Sequence, residues 1–240
     1  MKNKQVLITG ASFGIGKRLA KIFAKNNYNI IITYKRSKKE SLELKKEIEK
    51  EYEVKCDSIF LDVTKETSIK NLYKQILNKY KNIDVLINNA ALDIYSLFEE
   101  KNKNDFHKIL DTNLIGPFLM IKYYEKYKNK GTIINISSTD GIDTNNFNRL
   151  EYCASKAGLI NMTKSLSMEL ENKVISISPN WVKTESVLEM NEVELKEELK
   201  RIKQKKLIEP EYLSELIYKV VENKKIKTGS NIIVKDDKHE

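Results

Sequence analysis

Seven short runs of apolar, mostly β-branched residues recur along this chain, and they constrain its fold more than any other feature. They read QVLITG, NIIITY, DSIFLDV, IDVLINNA, GTIINIS, VISISP and NIIVK. Such near-continuous apolar strands are typical of a parallel sheet that is buried on both faces. Amphipathic segments of helical length lie between them, as at Leu44, Ile48 and Tyr52. The alternation predicts an α/β fold, a doubly wound parallel sheet of about seven strands with helices on both faces.

The length of 240 residues suits one large domain, and three prolines and eight glycines leave no linker-like segment. We therefore predict a single domain over residues 1–240. The first apolar run is too short for a signal peptide, and no run is long enough for a membrane helix, so we expect no membrane association. Cys56 and Cys153 lack a metal-like or CxxC spacing, which favours a reducing compartment and a cytoplasmic location.

The net charge of +9 comes from lysines that are spread along the chain and mixed with glutamates. This distribution indicates solvated helix faces rather than a nucleic-acid-binding surface. His107 and His239 are the only histidines, which argues against a Ser-His-Asp triad and a histidine-rich metal site. We expect neither a nucleic-acid partner nor a metal.

A glycine-rich turn, TGASFGIG, follows the first run and opens a helix that we expect to begin near Ile15. Gly10, Gly14 and Gly16 permit a tight turn and let N–H groups at the helix start approach a pyrophosphate. A glycine-rich connection can also be purely structural. Its place after the first strand favours dinucleotide binding.

The segment TYKRSKK follows the second run and is basic where NAD-binding proteins commonly carry an acidic residue for the ribose. The first acidic residue is Glu40, whereas Lys35 and Arg36 supply two positive charges. Two cations suit the 2′-phosphate of NADP, so NADP(H) is predicted over NAD(H), which stays the alternative. The same residues would also suit the start of an exposed helix.

Polar side chains follow the third and fourth runs. Asp62 could accept a hydrogen bond from the adenine amino group or cap a helix beginning near Lys65. Asn88 and Asn89 would need buried partners, so we interpret them as clamps between neighbouring strand ends. Ala90 follows them, where a small residue would let the backbone pass close to a cofactor.

A long helix is predicted from about 104 to 127, with the polar Asn113 on its apolar face. Pro117 lacks the N–H that would bind the Asn113 carbonyl in an α-helix, so the helix should kink there. The freed carbonyl could hold a water molecule. A kink with only a structural role is the alternative.

Ser138 ends the fifth run, and Tyr152 precedes Lys156 by one helical turn. Hydride attack on a carbonyl builds negative charge on oxygen, which requires a proton donor there. A lysine charge about 5 Å away, at an effective dielectric of about 20, would favour a phenolate by roughly two pKa units. On spacing alone, an exposed Tyr–Lys pair without a catalytic role is equally acceptable.

Taken in order, TGASFGIG, NNAA, Asn113, Ser138, YCASK and SPNWVKT resemble the short-chain dehydrogenase/reductase family over about residues 4–184. The resemblance implies a single Rossmann-type domain that moves hydride between NAD(P)(H) and a carbonyl or alcohol. It implies that Tyr152 is the general acid or base and that Ser138 holds the substrate oxygen. Lys156 would bind the nicotinamide ribose and lower the pKa of Tyr152, and Asn113 would anchor a water relay.

The same resemblance, together with the residue patterns above, places the cofactor against one set of positions. These are Gly10, Ser12, Phe13, Gly14, Ile15, Gly16, Lys35, Arg36, Asp62, Val63, Asn89, Ala90, Tyr152, Lys156, Pro179, Val182 and Thr184. The chain also departs from the family pattern. Phe13 stands where many NADP-dependent members carry a basic residue, and Asn180 stands where glycine is usual. The C-terminus lacks the usual Asp-Gly-Gly.

The segment at about 185–207 should form a small substrate lid. A 3-oxoacyl thioester is the first substrate expectation, with sugar, polyol or other small ketones as alternatives. Lys128, Lys130 and Lys173 are candidate contacts for an acidic acyl carrier. A catalytically idle dinucleotide sensor or scaffold is the alternative from another functional class, although it would not require Tyr152, Lys156 and Ser138.

A homotetramer, or else a homodimer, is expected through helices at 104–127 and 153–171, where the small residues Ala154, Ala157 and Gly158 allow close packing.

Overall fold

Seven parallel strands form one sheet in the computed structural model, which describes residues 3–143 and 146–235. Their order across the sheet is β3-β2-β1-β4-β5-β6-β7. Each of the seven apolar runs coincides with one strand to within a few residues at its ends, so the predicted doubly wound sheet is confirmed. The strands are β1 (Gln5–Ile8), β2 (Asn29–Tyr34), β3 (Cys56–Phe60), β4 (Val85–Asn88), β5 (Thr132–Ile136), β6 (Lys173–Pro179) and β7 (Asn231–Val234).

Helices connect the strands and cover both faces of the sheet. In chain order they are α1 (Gly14–Lys25), α2 (Lys38–Glu51), α3 (Glu66–Lys79), α4 (Lys103–Leu110), α5 (Gly116–Lys126), α6 (Leu150–Leu166), α7 (Glu185–Leu188), α8 (Glu192–Arg201) and α9 (Pro210–Glu222). No helix among the described residues is long and apolar enough to span a bilayer.

Side chains that alternate along each strand build two separate cores, one on each face of the sheet. On β1, Val6 and Ile8 pack with residues of α1, α2 and α9, whereas Leu7 packs on the other side with Ile69 of α3 and Met120 of α5. The strand order reverses direction between β1 and β4. In such sheets ligands bind at the carboxyl ends of the strands beside this reversal.

The long helix predicted over 104–127 is interrupted rather than continuous. Between α4 and α5, residues Asp111–Ile115 form one turn of π-helix, in which the N–H of Gly116 binds the carbonyl of Asp111. Pro117 lies in the first turn of α5. The predicted irregularity at Asn113 is therefore present, and it takes the form of a widened turn. The later helix, predicted over 153–171, begins and ends earlier, at Leu150 and Leu166.

Candidate active site

The glycine-rich turn after β1 adopts a backbone that requires glycine. Gly10 and Gly14 have φ angles of +64° and +54°, and a Cβ on Gly10 would lie 2.9 Å from the Cα of Ala90. Helix α1 begins at Gly14, whose N–H donates to a carboxylate oxygen of Glu185 at 2.9 Å. This carboxylate stands in for a phosphate oxygen, so the turn fits the pyrophosphate of a dinucleotide.

The two asparagines of NNAA tie the end of β4 to the strands on either side of it. The side-chain amide of Asn89 donates to the carbonyls of Thr9 and Gly10, at 3.0 and 2.9 Å. Asn88 donates to the Asn135 side chain of β5 at 2.8 Å. The prediction that both residues clamp strand ends is confirmed.

The basic segment after β2 is partly neutralised within the protein. Lys35 Nζ lies 2.9 Å from Asp62 Oδ2, and Asp62 also accepts from the N–H and the hydroxyl of Thr64. Burial would raise the pKa of Asp62, but these hydrogen bonds and the lysine charge hold it below its usual value. Asp62 does not cap α3, because that helix begins at Glu66 with Lys65 at its N-cap. Arg36 is exposed and forms no ion pair with any described residue.

Asn113 is buried in the widened turn, and its side chain fixes the loop that follows β4. Its Oδ1 accepts from the N–H of Leu92 at 2.8 Å, and its Nδ2 donates to the Leu92 carbonyl at 2.8 Å. The same amide donates to the Ser155 hydroxyl of α6 at 3.1 Å. The side chain therefore links the β4 loop to the helix that carries Tyr152 and Lys156.

Lys156 is 2% exposed, and its Nζ donates to the carbonyl of Ile136 at the end of β5, at 2.8 Å. Burial lowers its pKa to about 8. The Ser137 hydroxyl donates to the Lys156 carbonyl at 2.9 Å, which holds α6 against β5. Lys156 Nζ is 5.4 Å from the centre of the Tyr152 ring.

Tyr152 is partly buried, with the Ser138 hydroxyl within hydrogen-bonding reach. Burial raises the pKa of Tyr152 above its ordinary value, and the strongest opposing influence is the charge of Arg149. The lowered tyrosine pKa that the family resemblance implies is therefore not present in the protein alone.

Arg149 belongs to the site although the sequence analysis did not select it. Its guanidinium carbon lies 4.4 Å from the centre of the Tyr152 ring and 5.1 Å from that of Trp181. It donates to Asp93 at 2.5 and 3.1 Å and to Asp140 at 2.8 Å. Burial would lower its pKa, but the surrounding carboxylates raise it above the usual value. Asp93 and Asp140 each follow the end of a strand, β4 and β5, and this position is the signal for them in the sequence.

Two adjoining cavities collect most of the predicted site. One, of about 860 Å³, is lined by Gly10, Phe13, Gly14, Ile15, Lys35, Arg36, Val63, Asn89, Ala90 and Thr184. The other, of about 530 Å³, is lined by Ile15, Asn89, Ser138, Tyr152, Lys156, Pro179, Val182 and Thr184, together with Asp93, Asp140, Arg149 and Trp181. Ile15, Asn89 and Thr184 line both cavities, which therefore adjoin and are treated together as one cleft.

Four predicted site residues do not line this cleft. Asn113 acts from behind it, as described above, and Ser12 is buried with its hydroxyl donating to the Ser37 carbonyl. Gly16 packs so closely that a Cβ there would lie 2.6 Å from the Asn89 amide nitrogen. Asp62 lines a neighbouring groove of about 580 Å³.

The three lysines suggested as contacts for an acyl carrier lie away from the cleft. Lys128 and Lys130 precede β5 and Lys173 begins β6, so all three lie at the amino ends of strands whose carboxyl ends carry the site. Lys130 pairs with Glu171 at 3.1 Å, and Lys173 donates to two carbonyls near the end of α9. Their role as contacts for an acidic carrier stays a prediction, and their distance from the cleft gives it no support.

Comparison with known proteins decides the family. The sequence model described as short chain dehydrogenase matches residues 4–195, most of the chain. The chain belongs to the short-chain dehydrogenase family. An uncharacterized oxidoreductase of Thermotoga maritima is 32% identical over 191 residues, which cover 77% of this chain and 73% of that protein.

Solved structures of family members have the same fold. A short chain dehydrogenase from Burkholderia cenocepacia J2315, in complex with NADP, superimposes with a TM-score of 0.88 at 22% identity, covering 96% of each chain. The 3-ketoacyl-(acyl-carrier-protein) reductase from Brucella melitensis, complexed with NADH, has a TM-score of 0.85 at 25% identity, covering 97% of each chain. Membership of this family makes the chain an oxidoreductase with a nicotinamide dinucleotide as its cofactor.

Proposed function

We propose that this family member transfers hydride between NADP(H) and a small carbonyl or alcohol substrate, with Tyr152 as general acid or base. The observation that carries this proposal is the convergence of Tyr152, Ser138 and Lys156 on one cleft. That cleft continues to the glycine-rich turn, where Glu185 stands in for a phosphate. The bound nicotinamide would supply or accept the hydride.

The protein's own side chains would handle the oxygen and the proton. In the reducing direction, the Tyr152 hydroxyl gives its proton to the oxygen of the reduced substrate, and the Ser138 hydroxyl donates a hydrogen bond to the same oxygen. Lys156 keeps N–H donors beyond the one that binds the Ile136 carbonyl, and these suit the ribose hydroxyls. Asn113 maintains the position of α6 relative to the β4 loop.

A ketone screen tests this function directly. The protein is incubated with NADPH and a panel of 3-oxoacyl thioesters, sugar-derived ketones and small cyclic ketones. Loss of NADPH absorbance and formation of the alcohol are then measured. We expect turnover of at least one class by the parent protein and a rate lower by about 10²–10⁴ with Tyr152→Phe. Tight cofactor binding without turnover of any ketone would support an idle sensor instead and would overturn the enzymatic proposal.

The preference for NADP rests on the residues after β2. Arg36 has its guanidinium available, whereas Lys35 is already paired with Asp62, so we propose that Arg36 supplies most of the contact with a 2′-phosphate. The structures cited above were solved with NADP or with NADH and favour neither. Arg36→Ala should weaken binding of NADPH by about tenfold, as for loss of one charge-assisted contact, and leave NADH unaffected. Lys38→Ala, an exposed neighbour in α2, is the control. Equal loss for both cofactors would refute the assignment.

A 3-oxoacyl thioester remains our first substrate proposal, supported by the likeness to the Brucella melitensis reductase. The lid proposed over about 185–207 contains α7 and α8, and its residues Val187, Met190, Glu194 and Glu198 line the cleft. We propose that the whole chain acts as one domain with this lid. An acyl carrier, if it delivers the substrate, would approach at the carboxyl ends of the strands.

A homotetramer, or a homodimer, is proposed for the assembled protein. A largely apolar groove between α5 and α6 is lined by Leu114, Ile115, Phe118, Ala157, Gly158, Asn161 and Met162. Ile115 and Phe118 are 44% exposed, which suits a surface covered by a second copy. Sedimentation of the parent and of Phe118→Glu tests this, because a charge in a buried contact would dissociate the assembly.

The cytoplasmic location stays a prediction from the cysteine content.

A further inference from the structure

Arg149 occupies an unusual place for a buried charge, because it lies directly against the proposed acid–base residue. It enters from the turn that precedes α6, and its side chain is 9% exposed. Its guanidinium carbon lies 4.4 Å from the centre of the Tyr152 ring, which is closer than the 5.4 Å from Lys156 Nζ to the same point. Neither the family features described above nor the proposed chemistry accounts for an arginine here.

Two carboxylates from different loops hold Arg149 in this place. Asp93 lies in the loop after β4 and binds two guanidinium nitrogens, and Asp140 lies in the turn after β5 and binds a third. The N–H of Asp140 in turn donates to the Ser138 hydroxyl oxygen at 3.1 Å. Arg149 thus connects three segments. These are the loop after β4, the turn after β5 that carries Ser138, and the start of α6, which carries Tyr152.

We propose that Arg149 is a positioning residue for the reaction, a second fixed cation that orients the Tyr152 ring and favours its phenolate. A guanidinium keeps its charge at every working pH, whereas a buried lysine does not. Cation–π attraction orients the neutral phenol, and the attraction strengthens when the oxygen becomes negative. This inference rests on the proposed function, because it assumes that Tyr152 carries the transferred proton.

The charges that face Tyr152 come from every element around it. Lys156 and Arg149 are the cations, and Asp93 and Asp140 are the carboxylates that oppose them. From α8, Glu194 and Glu198 line the same cavity, and Glu198 is paired with Arg201 at 2.7 Å. Arg149 and Asp93 therefore act on Tyr152 in opposite directions, which gives two variants with opposite expected effects.

The test replaces Tyr152 with difluorotyrosine, whose more acidic phenol titrates in an accessible pH range, and follows it by fluorine NMR in the cofactor-free protein. We expect Arg149→Met to raise the midpoint by about two pH units, from the Coulomb energy of a unit charge about 5 Å away at an effective dielectric of about 20. Arg149→Lys should raise it by less. Asp93→Asn, which removes a partly exposed carboxylate, should lower it.

The control is the double variant Lys101→Met with Glu151→Gln, which removes both charges of another buried ion pair at the start of α6. It should change the thermal unfolding temperature without moving the midpoint. An unchanged midpoint in folded Arg149→Met, or a change in the control of equal size, overturns the proposal. If Arg149→Met does not fold, Asp93→Asn decides, and the absence of a lowered midpoint overturns it.

Failure of the proposed function gives a different result. In that case the parent protein oxidises no cofactor with any ketone, whatever the titration of residue 152. If only the inference is wrong, the parent shows activity that depends on Tyr152, while Arg149→Met leaves the titration where it was.

Discussion

Replacing Lys156 with methionine should stabilise the cofactor-free protein while it removes activity. The ammonium group is buried, and its pKa falls from an ordinary 10.5 to about 8 in the folded protein. At about 1.4 kcal/mol per pH unit, keeping this charge costs the fold roughly 3 kcal/mol at pH 7. Methionine has a similar stem and no charge. It forfeits the hydrogen bond to Ile136, worth about 1 kcal/mol, so a net gain of about 2 kcal/mol is expected.

The pH dependence separates this cause from ordinary packing. Between pH 8 and 10.5 the unfolded chain holds a proton on this lysine that the folded protein has lost, so the stability of the parent rises with pH. The advantage of Lys156→Met should therefore be largest at pH 7 and disappear towards pH 10. Urea unfolding followed by circular dichroism at several pH values measures it.

Lys164→Met supplies the matched control for that experiment. Lys164 is an exposed lysine on the same helix, α6, so its replacement should change the unfolding free energy little and equally at every pH. A variant at 156 that is no more stable than the parent at pH 7, or whose advantage does not vary with pH, would refute the buried-charge interpretation.

Further expectations concern the glycine-rich turn and the carboxylate beside it. Glu185→Gln should tighten dinucleotide binding about two- to fivefold, since it removes a negative charge from the start of α1 that competes with phosphate. Calorimetric titration with NADPH measures the affinity, and Glu192→Gln on α8 is the control. An unchanged affinity would show that Glu185 does not compete. Gly10→Ala should lower the unfolding free energy by about 1–3 kcal/mol, because φ is +64° and the added Cβ meets Ala90. Urea unfolding measures this, and a variant that unfolds at the same urea concentration as the parent would contradict it.

The sheet could be predicted because its signal is local. Each strand of a doubly covered parallel sheet is a short apolar run, and the pattern repeats seven times in the sequence. The polar residues directly after these runs were therefore placed correctly at the carboxyl ends, including Ser138 and Asn89. The helix boundaries were less accurate, since the residues after Leu166 still contain the apolar residues Met168 and Leu170.

The features that the sequence did not predict depend on contacts between residues that lie far apart along the chain. The π-helical turn at Asn113 depends on how two helices and a loop pack, which one proline does not determine. Arg149, Asp93 and Asp140 come from three separate loops, and only the tertiary structure brings them to Tyr152. Lys128, Lys130 and Lys173 were suggested as contacts for an acyl carrier on the basis of their charge alone. Their places before β5 and at the start of β6 put them at the amino ends of these strands, away from the cleft.

The pre-steady-state rate of hydride transfer, compared between the parent and Tyr152→Phe with a ketone that the screen identifies, tests the central claim most directly. Phenylalanine keeps the ring and its contact with Arg149 but has no proton to give. Loss of a general acid typically slows such a step by about 10²–10⁴, so we predict a fall of that size with unchanged NADPH affinity. A variant that transfers hydride as fast as the parent would contradict the assignment of Tyr152 and the account built on it.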